Sequence, residues 1–121
     1  MSRSLTTTNP KERTEMMIPK ARRPITPGQV LREDFIEPLG LTQGKLADAL
    51  DVDRSTINEI LNERRSITPE MALRLGHAFR TSPGYWMNLQ LAVSLYDAEH
   101  SPAKAEVERL PILVSLVAQG A

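Results

Sequence analysis

From residue 27 onward the apolar residues recur at helical spacing, and each run follows a residue suited to start a helix. Val30, Leu31 and Phe35 share one face of a first predicted helix over 27–36. Thr26 stands at its cap and Pro27 in its first turn, where a missing N–H costs nothing; Pro38 and Gly40 are expected to end it. A second helix over 43–50 is capped by Thr42 and turns Leu46, Ala47 and Leu50 inward. A third over 54–62 is capped by Asp53 and buries Ile57, Ile60 and Leu61. Thr68-Pro69 opens a fourth over 69–80, with Ala72, Leu75 and Phe79 on one face. Ser82-Pro83 opens the fifth and longest, over 83–98. Its stripe is expected to run through Tyr85, Leu89, Ala92, Val93 and Tyr96, widened by Trp86, Met87 and Leu91, so it needs more than one packing partner. Tyr85 and Trp86 read as core anchors, with stacking on a ligand as the alternative.

Outside this block the pattern weakens. Ser101-Pro102 looks like another helix start, interrupted by Pro111; the apolar run ILVSLVA over 112–118 fits either a helix or a strand that pairs with a second copy. Residues 1–22 carry little periodic apolar character and read as a flexible extension, with Met16, Met17 and Ile18 as an alternative docking segment. No internal repeat stands out, and no region is rich in strand formers. The expected organisation is therefore all-α: an extension over 1–22, one helical domain over 23–98 and a short C-terminal extension over 99–121.

Composition narrows the classes. The chain has 121 residues, 40% of them apolar, enough for one modest core. No run of ~18 apolar residues is present, so no membrane span is expected. The polar start MSRSLTTTNPKER lacks the apolar stretch of a secretory signal. The absence of cysteine excludes disulfides and thiolate zinc sites and fits a reducing cytoplasm. Net charge is zero, but residues 1–32 hold seven Lys or Arg against two Glu, and residues 97–121 hold two against four acidic residues. Any grip on phosphate is thus local, weak for one copy and stronger for a dimer.

Residues 42–65, TQGKLADALDVDRSTINEILNERR, carry the most specific pattern. Two short helices that cross steeply need a small residue at the crossing, and Ala47 supplies it. The turn between them needs a residue tolerant of positive φ, where Asp51 stands, and then an apolar plug, Val52. Leu46, Leu50, Ile57 and Ile60 occupy the core positions. Together these residues read as a helix-turn-helix, whose second helix enters the major groove of DNA. Arg54 and Asn58 then face base edges: Arg54 suits guanine O6 and N7, and Asn58 suits adenine N6 and N7, while Ser55 and Thr56 suit either bases or phosphates. Gln43, at the start of the other helix, suits a phosphate. Arg64 and Arg65 either clamp the backbone or neutralise the carbonyl end of the preceding helix. Glu59 and Glu63 are expected to point into solvent.

Residues 23–96 closely resemble the HigA-type antitoxins of bacterial toxin–antitoxin systems, members of the Xre/Cro-like helix-turn-helix group. RPITPGQVLREDFIEPLGLTQ, RRSITPEMALRL and SPGYWMNLQ carry the resemblance. It implies a five-helix Cro/lambda-repressor-like domain, a homodimer that binds double-stranded operator DNA in its own promoter, and neutralisation of a RelE-like toxin that cleaves messenger RNA. It places DNA-reading positions on Gln43, Arg54, Ser55, Thr56 and Asn58, and the dimer interface on the fifth helix and the segment after it. Two departures stand out: Asp51 replaces the usual turn glycine, and both extensions exceed the family's core. The toxin-binding surface cannot be carried over to numbered residues. A stand-alone repressor of the same group, without a toxin, is the alternative. Catalysis is not expected: His77 and His100 are the only histidines, and no Ser/His/Asp grouping, phosphate loop or metal-ligand spacing appears. No cofactor is implied.

Overall fold

The computed structural model describes residues 22–114. Every regular element among them is helical. The first helix, α1, is composite: Pro27–Val30, then a π-helical stretch Leu31–Ile36, then a last turn Glu37–Leu39. It is followed by α2 (Gln43–Leu50), α3 (Arg54–Leu61), α4 (Pro69–Phe79), α5 (Pro83–Glu99) and α6 (Pro102–Glu108).

The start signals act largely as expected. Thr26, Thr42, Thr68 and Ser82 each accept a backbone N–H of the first turn they open. At Thr26 the cap is reciprocal, because the Gln29 side chain accepts the Thr26 N–H at 2.9 Å. Asp53 differs from them: it occupies the expected cap position of α3, but its side chain makes no capping bond.

Other expectations are revised too. The first helix does not stop at residue 36; it runs through Pro38 to Leu39. Pro38 has no N–H to return to Asp34, and its ring would crowd that carbonyl in a regular helix. The wider turn relieves both problems, with Glu37 N–H reaching back five residues to the Arg32 carbonyl. Gly40, at φ 65°, ends the helix. On α5 Leu89 and Val93 of the expected stripe face inward, with Trp86 and Met87 beside them; Tyr85, Leu91 and Ala92 are exposed instead, and Tyr96 is half-buried. The helix start read at Ser101-Pro102 is used: Ser101 accepts the Ala103 N–H at 3.3 Å and opens α6, a sixth helix that ends before Pro111. Residues 111–114 have no regular structure, and the rest of the 112–118 run lies outside the described residues, as does the expected extension up to residue 21.

One core gathers the helices. Val30, Leu31, Leu46, Leu50, Ile57, Ile60, Leu75 and Trp86 are buried in it, together with Ile67 from the loop before α4. Trp86 is 0% exposed. The Phe35 and Phe79 rings pack at a tilt with centroids 4.3 Å apart, and the Phe35 centroid lies 5.6 Å from that of Trp86, which ties α1, α4 and α5 together. No described helix is long and apolar enough to cross a membrane.

Candidate nucleic-acid interface

The corner between α2 and α3 is where sequence and geometry meet. Ala47 is 1% exposed at the crossing, small enough for the two helices to approach closely. Asp51 takes the left-handed conformation, φ 57° and ψ 49°. Val52 N–H returns to the Ala47 carbonyl at 3.0 Å, closing the helix end in the manner of a left-handed cap. Val52 itself is half-buried against the core. A support not read from the sequence comes from α4. Arg74 donates to the Leu50 carbonyl at 2.6 Å and to Glu70 at 2.9 Å, so a guanidinium neutralises the carbonyl end of α2.

This corner buries Ile57, Ile60 and Leu61 and leaves the opposite face of α3 outward. Arg54, Ser55 and Asn58 are exposed there and Thr56 is half-buried. Gln43, from the first turn of α2, joins them: Asn58 Nδ2 donates to Gln43 Oε1 at 3.3 Å. Asn62, not among the expected contact residues, extends the row by donating to Asn58 Oδ1 at 3.2 Å. The two atoms of Asn58 that suit adenine are therefore engaged with neighbours. Both bonds are long and exposed, so a base edge can replace them at small cost.

The basic residues past α3 sort differently from expectation. Glu59 and Glu63 do not simply face solvent. Glu59 holds Arg65 at 2.7 Å, and Glu63 holds Arg23. Among the described residues no ion pair engages Arg54 or Arg64. Arg23 also makes a forked contact with both carboxylate oxygens of Asp97, each at 2.8 Å. Those hydrogen bonds hold the Asp97 carboxyl below its ordinary range and raise the Arg23 guanidinium further above its own. A depressed carboxyl stabilises the fold fully above the ordinary aspartate value, ~3.9, and loses that contribution as pH falls through the lower folded-state value. Neutral solutions therefore leave the contact intact. Burial, and then Asp34, push the Tyr85 hydroxyl up.

The two histidines stand apart from this face. His77 is exposed on α4, and His100 stacks on Tyr96 with ring centroids 3.9 Å apart.

A small-residue crossing, a left-handed turn and an outward polar face on the second helix define a helix-turn-helix protein. Known proteins place it in the same class. Residues 32–86 match the family model described as helix-turn-helix. A transcriptional regulator of this type from Haemophilus influenzae is 45% identical over 80 residues, spanning 66% of this chain and 75% of the relative. Antitoxin HigA-1 of Vibrio cholerae is 35% identical over 95 residues, spanning 78% of this chain and 90% of the relative. Among solved structures, Pseudomonas aeruginosa antitoxin HigA with the higBA promoter superposes with a TM-score of 0.69 at 40% identity, covering 76% of this chain and 100% of that one. Antitoxin GraA in complex with its operator gives a TM-score of 0.70 at 40% identity, covering 79% and 97%. The chain belongs to the helix-turn-helix family of HigA-type antitoxins.

Proposed function

We propose that the chain is an operator-binding repressor that acts as a homodimer and also neutralises a RelE-like toxin. Residues 23–98 form the DNA-binding unit, residues 99–121 an extension for contact with partners, and residues 1–22 a leading extension. The observation that carries the DNA reading is the outward row of Gln43, Arg54, Ser55, Thr56 and Asn58, held at one corner by the Asn58–Gln43 bond. Arg54 and Asn58 read bases, Gln43 holds a phosphate, Ser55 and Thr56 meet bases or backbone, and Arg64 and Arg65 grip the backbone. Operator complexes of HigA and GraA support it by similarity.

The experiment pairs two kinds of substitution on duplex DNA from the region upstream of the gene. Arg54→Ala should cost ~1–3 kcal/mol and relax preference at one base position. Arg64→Ala should weaken all sequences alike and shallow the salt dependence. Arg65→Ala should do so less, because Glu59 already offsets its charge. An Arg54→Ala variant with unchanged operator affinity overturns the assignment of α3.

The homodimer reading draws on apolar side chains that the described residues leave exposed. Leu91 and Leu95 on α5 are 56% and 53% exposed, and Val107 on α6 and Leu110 just past it are exposed as well. A two-fold dimer of this class presents its two α3 helices about one duplex turn apart, ~34 Å. Leu95→Glu should shift the protein to monomer in sedimentation and weaken binding to a palindrome far more than to a single half-site.

Toxin neutralisation rests on similarity to HigA antitoxins. Co-expression with the product of the adjacent gene, with a pull-down and a growth-rescue assay, tests it. The second reading, a repressor with no toxin, is favoured by relatives named only as transcriptional regulators. A neighbouring reading frame for a small basic ribonuclease-like protein separates the two.

A further inference from the structure

Arg23 reaches across the end of α3 rather than along its own segment. Its one planar guanidinium joins residues 40 and 74 positions further along the chain, Glu63 and Asp97. Exposed ion pairs as a rule contribute little; a forked arginine–carboxylate pair within a network is the exception. Glu63 sits in the left-handed region at φ 60°, which is uncommon for a residue with a side chain. It is the pivot on which the chain leaves α3. Its N–H bonds to the Ile60 carbonyl at 3.1 Å, and the next N–H, of Arg64, bonds to the Glu59 carbonyl at 2.8 Å. Arg64 and Arg65 come directly after it. Arg23, Glu63 and Asp97 border a cavity of about 190 Å³ whose wall also includes Arg64 and Arg65.

We infer that Arg23 is a positioning residue for DNA binding: by holding Glu63 and Asp97 it fixes the left-handed corner from which Arg64 and Arg65 project, and its single positive charge offsets half of the carboxylate charge beside the phosphate path. The inference rests on the proposed role of Arg64 and Arg65 as backbone contacts. Arg23 itself does not meet DNA. Its removal frees the corner and takes the net charge of this cluster from −1 to −2 next to the residues that grip phosphate, and both effects weaken binding without changing which bases are preferred.

The test uses the full chain and duplex DNA from the upstream region, with affinity measured by fluorescence anisotropy across a range of salt. Circular dichroism melting confirms that each variant is folded. Arg23→Gln should weaken binding about five- to tenfold, on the upstream duplex and on an unrelated duplex alike. The slope of log affinity against log salt should fall by about one, as for a lost phosphate contact. The second arm repeats the change in a Glu63→Gln/Asp97→Asn background. There Arg23 has no carboxylate to hold, and Arg23→Gln should change affinity less than about twofold. An undiminished effect in that background means that Arg23 grips phosphate itself, which overturns the inference. So does a folded Arg23→Gln variant with unchanged affinity and slope. A wild-type chain with no salt-dependent duplex binding at all fails earlier, at the reading of α3, and is told apart by that result.

Discussion

Trp86→Ala should leave the chain on the edge of unfolding. The indole is 0% exposed at the centre of the core, near Phe35 and in edge contact with Tyr85 at 5.3 Å. Its Nε1 donates to Thr81 Oγ1 at 2.7 Å, so the same ring pins the linker between α4 and α5. Truncating a buried tryptophan costs ~3–5 kcal/mol from lost transfer energy and the cavity left behind. A domain of this size has only ~5–15 kcal/mol in total, so the melting temperature should fall by roughly 20 °C or more. Trp86→Phe separates the two contributions. It keeps most of the ring packing and loses the bond to Thr81, for a cost nearer ~1–2 kcal/mol. Thermal unfolding followed by circular dichroism reads both. A loss below ~1 kcal/mol for the alanine variant would mean that α5 is not docked as described.

Gly28→Ala should destabilise the chain by about 3 kcal/mol, at the upper end of what overpacking costs. Alanine is otherwise the better helix former, so local propensity alone gives the opposite sign. The contact decides. A Cβ on Gly28 would overlap the Ile60 carbonyl oxygen and lie 3.2 Å from Leu61 Cα. These are backbone atoms of α3, and no side chain can swing aside to make room. Either α1 or the end of α3 must move, and a shift of α3 carries Arg54 through Asn58 with it. Gly44→Ala is the internal control. Its Cβ would find only Thr42 Oγ1, at 4.0 Å, so this change should stabilise by ~0.5–1 kcal/mol. Two glycine-to-alanine changes of opposite sign in α1 and α2 test the packing of α1 on α3 in one set of melts.

The parts of the fold legible in the sequence are those set by local chemistry. Thr26, Thr42, Thr68 and Ser82 announce their helices because a hydroxyl one residue before a helix has one favourable task. Leu46, Ala47, Leu50, Ile57 and Ile60 mark the crossing because two short amphipathic helices leave little freedom in phase. The composite α1 is not legible, because it depends on how the chain absorbs a proline three-dimensionally rather than on Pro38 alone. The inner face of α5 is only partly legible for a different reason: a helix apolar on nearly every side carries little phase, and docking against the core keeps Leu89 and Val93 inward while leaving Tyr85 and Ala92 exposed. Long-range partners leave no sequence trace at all. Arg23–Asp97 and Arg74–Leu50 join segments that periodicity cannot relate. Glu59–Arg65 crosses a helix end, outside the usual three- and four-residue spacing. Asp51 is intermediate: its left-handed turn is readable from the motif, its support by Arg74 is not.

Arg54 and Asn58 are expected to be the side chains with which α3 reads base edges. The most direct measurement is selection from a pool of random duplexes by the wild-type chain and by Arg54→Ala and Asn58→Ala, each selected pool then being sequenced. The wild type should return a two-fold symmetric consensus, with guanine preference lost at one symmetric position for Arg54→Ala and adenine preference lost at another for Asn58→Ala. Identical consensus sequences from all three proteins would contradict it.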